Sequence, residues 1–225
     1  MKNHKINLGK DLSSKTDDDS LGLFIRRANY NPDVKHTGFV FLDNENSKPI
    51  RAHLTSRYEF DRKKLKGYGV LWLDFVSERN AAIITAELRT LALKESDMLY
   101  GITNYGGTTF QDGVTIPNPD VRGDSLTCAT FVLCMLEQFG FNVVDRDSWI
   151  VSDEDTQWQK GMIEILKEHL QPDFYEIQKE NIGKVVRIRP EQIVGACGVF
   201  DYSPVKYDEA CEAGIIVLDE LDKLA

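Results

Sequence analysis

Residues 36–58 read HTGFVFLDNENSKPIRAHLTSRY, and the way this stretch folds back on itself decides the architecture. The run 36–42 is rich in Phe and Val, residues that suit a pleated and buried surface, so it is expected to be a strand. DNENSKP follows as a polar turn, and 50–58 alternates as a second strand. With the turn centred near Glu45 and Asn46, facing residues have numbers adding to about 91, as in an antiparallel hairpin. His36 then faces Thr55, and His53 is its diagonal neighbour on the same face, roughly 7–8 Å away at Cα. A slip of one residue would put the two histidines on opposite faces.

Working outward, YGVLWLDFV (68–76) reads as a third strand whose apolar density implies burial on both faces. Ser77 is placed to cap a helix over ERNAAIITAELRTLALKE, in which Ile84, Leu88 and Leu91 recur at helical spacing. Residues 100–124 form a long Gly-, Thr- and Pro-rich loop, a length more often functional than incidental. FNVVD (141–145) suits a short strand, and SDEDTQWQKGMIEILKEHL a capped helix ending before Pro172. GKVVRIRPEQIVGACGVF reads as extended segments broken at Pro190, and DEACEAGIIVLDELDKL as a closing helix. Residues 1–20 are polar and are expected to be a loose arm. Residues 21–225 are expected to form one α+β domain.

The chain has 225 residues and is 42% hydrophobic, enough for a sizeable core in one domain. A formal charge of −9 argues against nucleic-acid or anionic-membrane partners, since no basic face offsets phosphate repulsion. The short basic run around 63–66 reads as a solvated turn. No apolar run approaches the roughly 18 residues of a membrane span, and the N-terminal residues lack the apolar segment of a secretory signal. A cytoplasmic location with free cysteines is therefore expected. The cysteines at 128, 134, 197 and 211 have no CxxC spacing, which argues against structural zinc, and no metal or cofactor is expected.

The candidate chemistry lies in residues 126–140, LTCATFVLCMLEQFG, an amphipathic helix closed by Gly140. If Ser125 or Thr127 caps it, Cys128 occupies the first or second position. Unpaired amides and the positive helix end there should lower a thiol pKa from about 8.5. Cys134 lies about 240° further round and well inside the helix, so it is assigned to packing. A cysteine nucleophile needs a base, and the base an orienting partner. Of the four histidines, His4 is in the polar arm and His169 sits near a helix C-terminus. His36 and His53 share the hairpin.

Other motifs are weaker. TNYGGTTFQDG lacks the GK[ST] ending of a phosphate-cradling loop. The acidic runs SDEDTQ and DDDS read as exposed caps or arm. Trp72, Trp149 and Trp158 read as core or pocket-rim aromatics.

A histidine heading an apolar strand (HTGFVFL), a second histidine closing the next (RAHL) and a later TCATFVLCML helix together resemble the permuted branch of the NlpC-type papain-like fold. That branch includes lecithin:retinol acyltransferase-like proteins and related thiol hydrolases. The resemblance is clearest over residues 34–140. It implies a small antiparallel sheet packed against a nucleophile-bearing helix, in circularly permuted order. It assigns Cys128 as nucleophile, His36 as base and His53 as the orienting residue. The NYGG loop resembles the Tyr/Gly loop preceding the nucleophile helix, where Tyr105 or Tyr100 would lie near an oxyanion. The chain departs from the acyltransferase-like members, which commonly carry Asn-Cys-Glu-His-Phe, by having TCATF, and residues 1–225 show no apolar run like the hydrophobic anchor in which those members often end.

These readings imply a cysteine hydrolase of peptide, isopeptide or cell-wall-type amides, acting through a thioester. The alternatives are an acyltransferase or thioesterase using an ester donor, and a catalytically silent papain-like binding module. The partner in each case is a peptide-like or acyl group, and the sequence leaves the oligomeric state open.

Overall fold

The computed structural model describes residues 6, 8, 9, 21–28, 31, 33–43, 48–62 and 67–224. Its centre is a five-stranded antiparallel sheet built from β1 (Leu21–Arg27), β2 (Lys35–Leu42), β3 (Pro49–Leu54), β4 (Tyr58–Asp61) and β5 (Gly69–Trp72), in the order β4-β3-β2-β1-β5. Phe39 faces Ala52 and Val40 faces Arg51, the register the turn implied. The expected second strand is divided, because residues 55–57 turn and start β4. The third is shorter than expected and ends at Trp72. LGLFIRR, whose burial on both faces hides the period-two signal, is the interior strand β1, between β2 and β5.

The helices follow as α1 (Glu78–Leu93), α2 (Cys128–Gln138), α3 (Asp153–Leu166), α4 (Pro172–Glu180), α5 (Pro190–Val199) and α6 (Tyr207–Lys223). Ser77 caps α1 by accepting from the Asn80 amide, and Ser152 caps α3 by accepting from that of Asp155. The prolines at 172 and 190 open helices α4 and α5 rather than breaking the chain. A proline at the first helical position gives up an amide that has no intrahelical partner anyway, which corrects the extended reading of the segment after Pro190. Val144, in the expected short strand, makes only an isolated parallel bridge to Val205.

Alternation along the strands sorts the two sheet faces. Phe39, Phe41, Ile50 and Ala52 join Phe131, Leu133 and the inward residues of α5 and α6 in the main core. The opposite face carries a smaller cluster of Phe24, Val40 and Val70, with Tyr68 and Trp72 against it. A third cluster lies between α3 and α4, around Ile163 and Tyr175. Fully burying a side chain such as Phe131 or Leu133 contributes roughly 1.5–3 kcal/mol, so the main core dominates stability.

Three residues of the arm are described. Ile6 and Leu8 are buried, and Gly9 bridges Val70. At these positions the loose-arm expectation is corrected, because apolar Ile6 and Leu8 gain a core contact. His4 and residues 63–66 lie outside the described residues. Among the described residues no helix is long and apolar enough to cross a membrane.

Candidate active site

The local sequence places Cys128 at the first position of α2. Thr127 is the N-cap, its side chain accepting from the Thr130 amide, while the Thr130 hydroxyl accepts from the Thr127 amide. TCAT is therefore a reciprocal capping box, which fixes the orientation of the helix start. α2 packs on β2 and β3 through rings such as Phe131, whose centroid is 5.9 Å from that of Phe39. Gly140, at φ +85°, lets the chain turn away after the helix.

The two hairpin histidines meet as the register implied. His36 Nε2 and His53 Nδ1 are 2.9 Å apart. Gly38 makes this closeness feasible, since a Cβ there would fall on the Cβ of His53 and 2.7 Å from the Ala52 carbonyl oxygen. Phe24 packs against both imidazoles, with centroids 5.8 and 5.4 Å away, so the pair belongs to the sheet face opposite the one α2 covers. Arg51 donates to both oxygens of Asp61 and to the Tyr68 hydroxyl on this face.

Cys128 and His36 line one cavity of about 250 Å³ at the strand ends, together with Thr127 and Tyr100. Tyr100 is held there by a parallel bridge to Leu126, just before the helix. Tyr105 is 53% exposed and does not line the cavity, so the tyrosine beside the candidate site is Tyr100. Among the described residues no hydrogen bond joins Cys128 to His36. The backbone amides of Thr37 and Ala129 act on the thiol instead, favouring its charged form.

Burial sets the protonation states. It raises the Cys128 thiol from 9.0 to about 11, and the Thr37 and Ala129 amides offset only part of this. The expected depression by the helix start is therefore corrected: the amide contribution is present, but desolvation of a thiolate outweighs it. Burial also lowers His36 to about 3, helped by the charges of His53, Arg26 and Arg51. For His53 burial lowers the value to about 4, against the opposing pull of Glu59 and Asp61. At neutral pH the resting site is a neutral thiol beside a neutral imidazole pair.

Cys134 is buried as its packing assignment requires, but its sulfur also lies 3.7 Å from Arg146 Nη2 and from Asn104 Oδ1. Cys197 is buried, and Cys211 is half-buried. His169 is exposed beyond α3. Trp158 lines the cavity, Trp149 is core, and Trp72 backs the second sheet face.

One group of described residues has metal-ligand character. His53, Glu59 and Asp61 bring one ligand atom each within 4.8 Å of one another. The Arg51 guanidinium already occupies the Asp61 carboxylate at 2.5 and 2.6 Å, which opposes a cation there. Sequence reasoning missed both carboxylates. Their signal was the alternation of YEFD in β4 beside RAHL in β3, where His53 faces Glu59 and Arg51 faces Asp61.

No family model matches the chain, and no curated protein or solved structure matches it either.

Proposed function

We propose that the protein is a cysteine hydrolase of amide bonds in peptide-like substrates, with Cys128 as nucleophile, His36 as base and His53 as the residue that orients His36. The observation that carries this reading is that Cys128 and His36 line one cavity while His36 is held by His53 at 2.9 Å. The permuted papain-like reading of the fold belongs to the same proposal. It is supported by the packing of α2 on an antiparallel sheet whose histidine strand comes earlier in the chain.

The tautomers follow from the hydrogen bond. His36 commits Nε2 to His53, leaving Nδ1 as the nitrogen that takes the thiol proton. Nε2 of His36 then carries a hydrogen and donates to His53 Nδ1, so His53 bears its own proton on Nε2. That buried nitrogen has no hydrogen-bond partner, and it faces Glu59 Oε2 at 3.7 Å and Asp61 Oδ2 at 3.9 Å. The two carboxylates favour this tautomer through their charge.

In the reaction, substrate enters the cavity and His36 removes the Cys128 proton as the sulfur attacks the carbonyl carbon. The displaced π pair becomes an oxyanion, stabilised by amides of the first turn of α2 and by the Tyr100 hydroxyl. Collapse breaks the C–N bond and His36 protonates the leaving amine. Water, deprotonated by His36, then attacks the thioester, the C–S bond breaks, the acid leaves and Cys128 regains its proton. Because thiol and imidazole rest in neutral forms, proton transfer accompanies attack rather than preceding it. An ester donor would pass through the same thioester, giving a thioesterase or acyltransferase.

A second reading, a binding module with no turnover, is favoured by the lack of a Cys128–His36 hydrogen bond among the described residues. A peptide-substrate screen with mass-spectrometric trapping separates the readings. A hydrolase gives an acyl adduct on the Cys128 peptide that hydroxylamine removes and that Cys128→Ala lacks. Cleavage that survives in Cys128→Ala, or substrate binding with no adduct and no cleavage, contradicts the proposal.

A further inference from the structure

The charge around the candidate site is opposite to that of the chain. The chain carries 36 acidic against 27 basic residues. Among the described residues, the charged side chains lining the cavity are nevertheless all basic: Arg26, Lys35 and Arg187, beside His36. Arg26 is the least committed. It stands opposite His36 across the β1–β2 ladder, and its Nε is buried without a hydrogen-bond partner. Its guanidinium carbon lies 5.5 Å from the centre of the Tyr68 ring, an aromatic support that leaves donors unused.

Arg187 stacks on Trp158, with its guanidinium carbon 3.9 Å from the ring centre. Its carboxylate partner among the described residues, Asp155, is 3.5 Å away, is shared with Arg189 at 2.9 Å, and does not line the cavity. Lys35 donates to the Asp33 carbonyl, a neutral group. Glu191 acts on the Cys128 thiol through its charge but also lies outside the lining. Met162, Ile188 and Pro190 complete an apolar wall. An unpaired guanidinium beside an apolar wall suits a group that is planar, anionic and attached to a carbon chain.

We infer that the cavity recognises a carboxylate on the acyl side of the substrate, held by Arg26 with support from Arg187 and Lys35, so that the preferred substrates are acidic. This rests on the reading of Cys128 as an accessible nucleophile. It deepens that reading by naming the substrate class.

Two small alkylating agents test it on the full chain. Iodoacetate carries a carboxylate and iodoacetamide does not, and both mark Cys128 by a mass that peptide mapping assigns. The iodoacetate-to-iodoacetamide rate ratio at Cys128, divided by that of N-acetylcysteine in the same buffer, reports the subsite. We expect this normalised ratio to be about tenfold or more at low salt and to fall steeply with ionic strength, as electrostatic focusing requires. Arg26→Gln should bring it to within about twofold of the small thiol, and Arg187→Gln should lower it less. A normalised ratio near one in the wild type, independent of salt, overturns the carboxylate subsite while leaving the nucleophile intact. Failure of both reagents to mark Cys128 overturns the accessible nucleophile, and the subsite with it. The salt series on the wild type decides the matter even if Arg26→Gln does not fold.

Discussion

The two cysteines of α2 sit about one and two-thirds turns apart and experience different surroundings. Cys134 is sealed among polar side chains. Arg146 reaches it while pairing with Glu137 at 2.8 and 3.1 Å, and Asn104 completes a network with Thr108 and Asp124. Cys128 opens onto a cavity that is also lined by His36, which is paired with His53. Both thiols are pushed up by burial, to about 12 for Cys134 and about 11 for Cys128. Position at a helix start therefore does not by itself make a thiolate. What distinguishes Cys128 is that it lines a cavity that His36 also lines.

The comparison can be broken from either end. The largest effect is expected from Gly38→Ala, which forces a Cβ into His53 and the Ala52 carbonyl. It should cost about 3 kcal/mol in urea denaturation and abolish Cys128 acylation, leaving the network at Cys134 intact. A variant as stable and reactive as wild type would mean the histidine pair is not held by this close approach. Next, Arg146→Met unwires the other end. Since Arg146 and Glu137 are each about one-fifth exposed, the loss should be about 2 kcal/mol, less than for a fully buried pair. Cys128 acylation by a peptide electrophile should change by less than about twofold, since distant sites behave independently.

The histidine pair gives a pH signature. Both values fall below 6.5 on folding, so the unfolded chain binds more protons as the solution is acidified. Their contribution is complete above about pH 6.5 and is lost as pH falls through about 4 and then 3. Wild type should therefore lose stability across that window faster than His36→Gln, by at most about 1.4 kcal/mol per pH unit for the one group removed. Parallel acid limbs in urea titrations would show that His36 is not buried in its neutral form. The smallest effect is expected from Thr127→Ala, which removes the capping box at about 1 kcal/mol. It should slow Cys128 acylation without affecting the environment of Cys134, measured by comparing thermal melts with labelling rates.

Much of this arrangement was readable from residue order. The polar segment between HTGFVFL and IRAHL fixes the pairing of Phe39 with Ala52, and with it the meeting of His36 and His53. Ser77, Ser152 and Thr127 announce their helices because capping is a local hydrogen bond. The helix over 153–166 ends before Pro172 as expected, whereas Pro190 misled because proline breaks a helix only from inside it. The thiol pKa was misjudged because burial is a tertiary property that no local window contains. The basic cavity lining was hidden for the same reason, since Arg26, Lys35 and Arg187 come together only through folding.

The central claim is that Cys128 and His36 act as one unit, although they share no hydrogen bond at rest among the described residues. The most direct test is the rate at which a peptide-derived electrophile acylates Cys128 at pH 7 in wild type and in His36→Gln. The account predicts acylation of Cys128 at least about a hundredfold faster than of Cys134 or Cys197, falling by about a hundredfold in His36→Gln, the scale of a general base. Equal rates in the two proteins would contradict it.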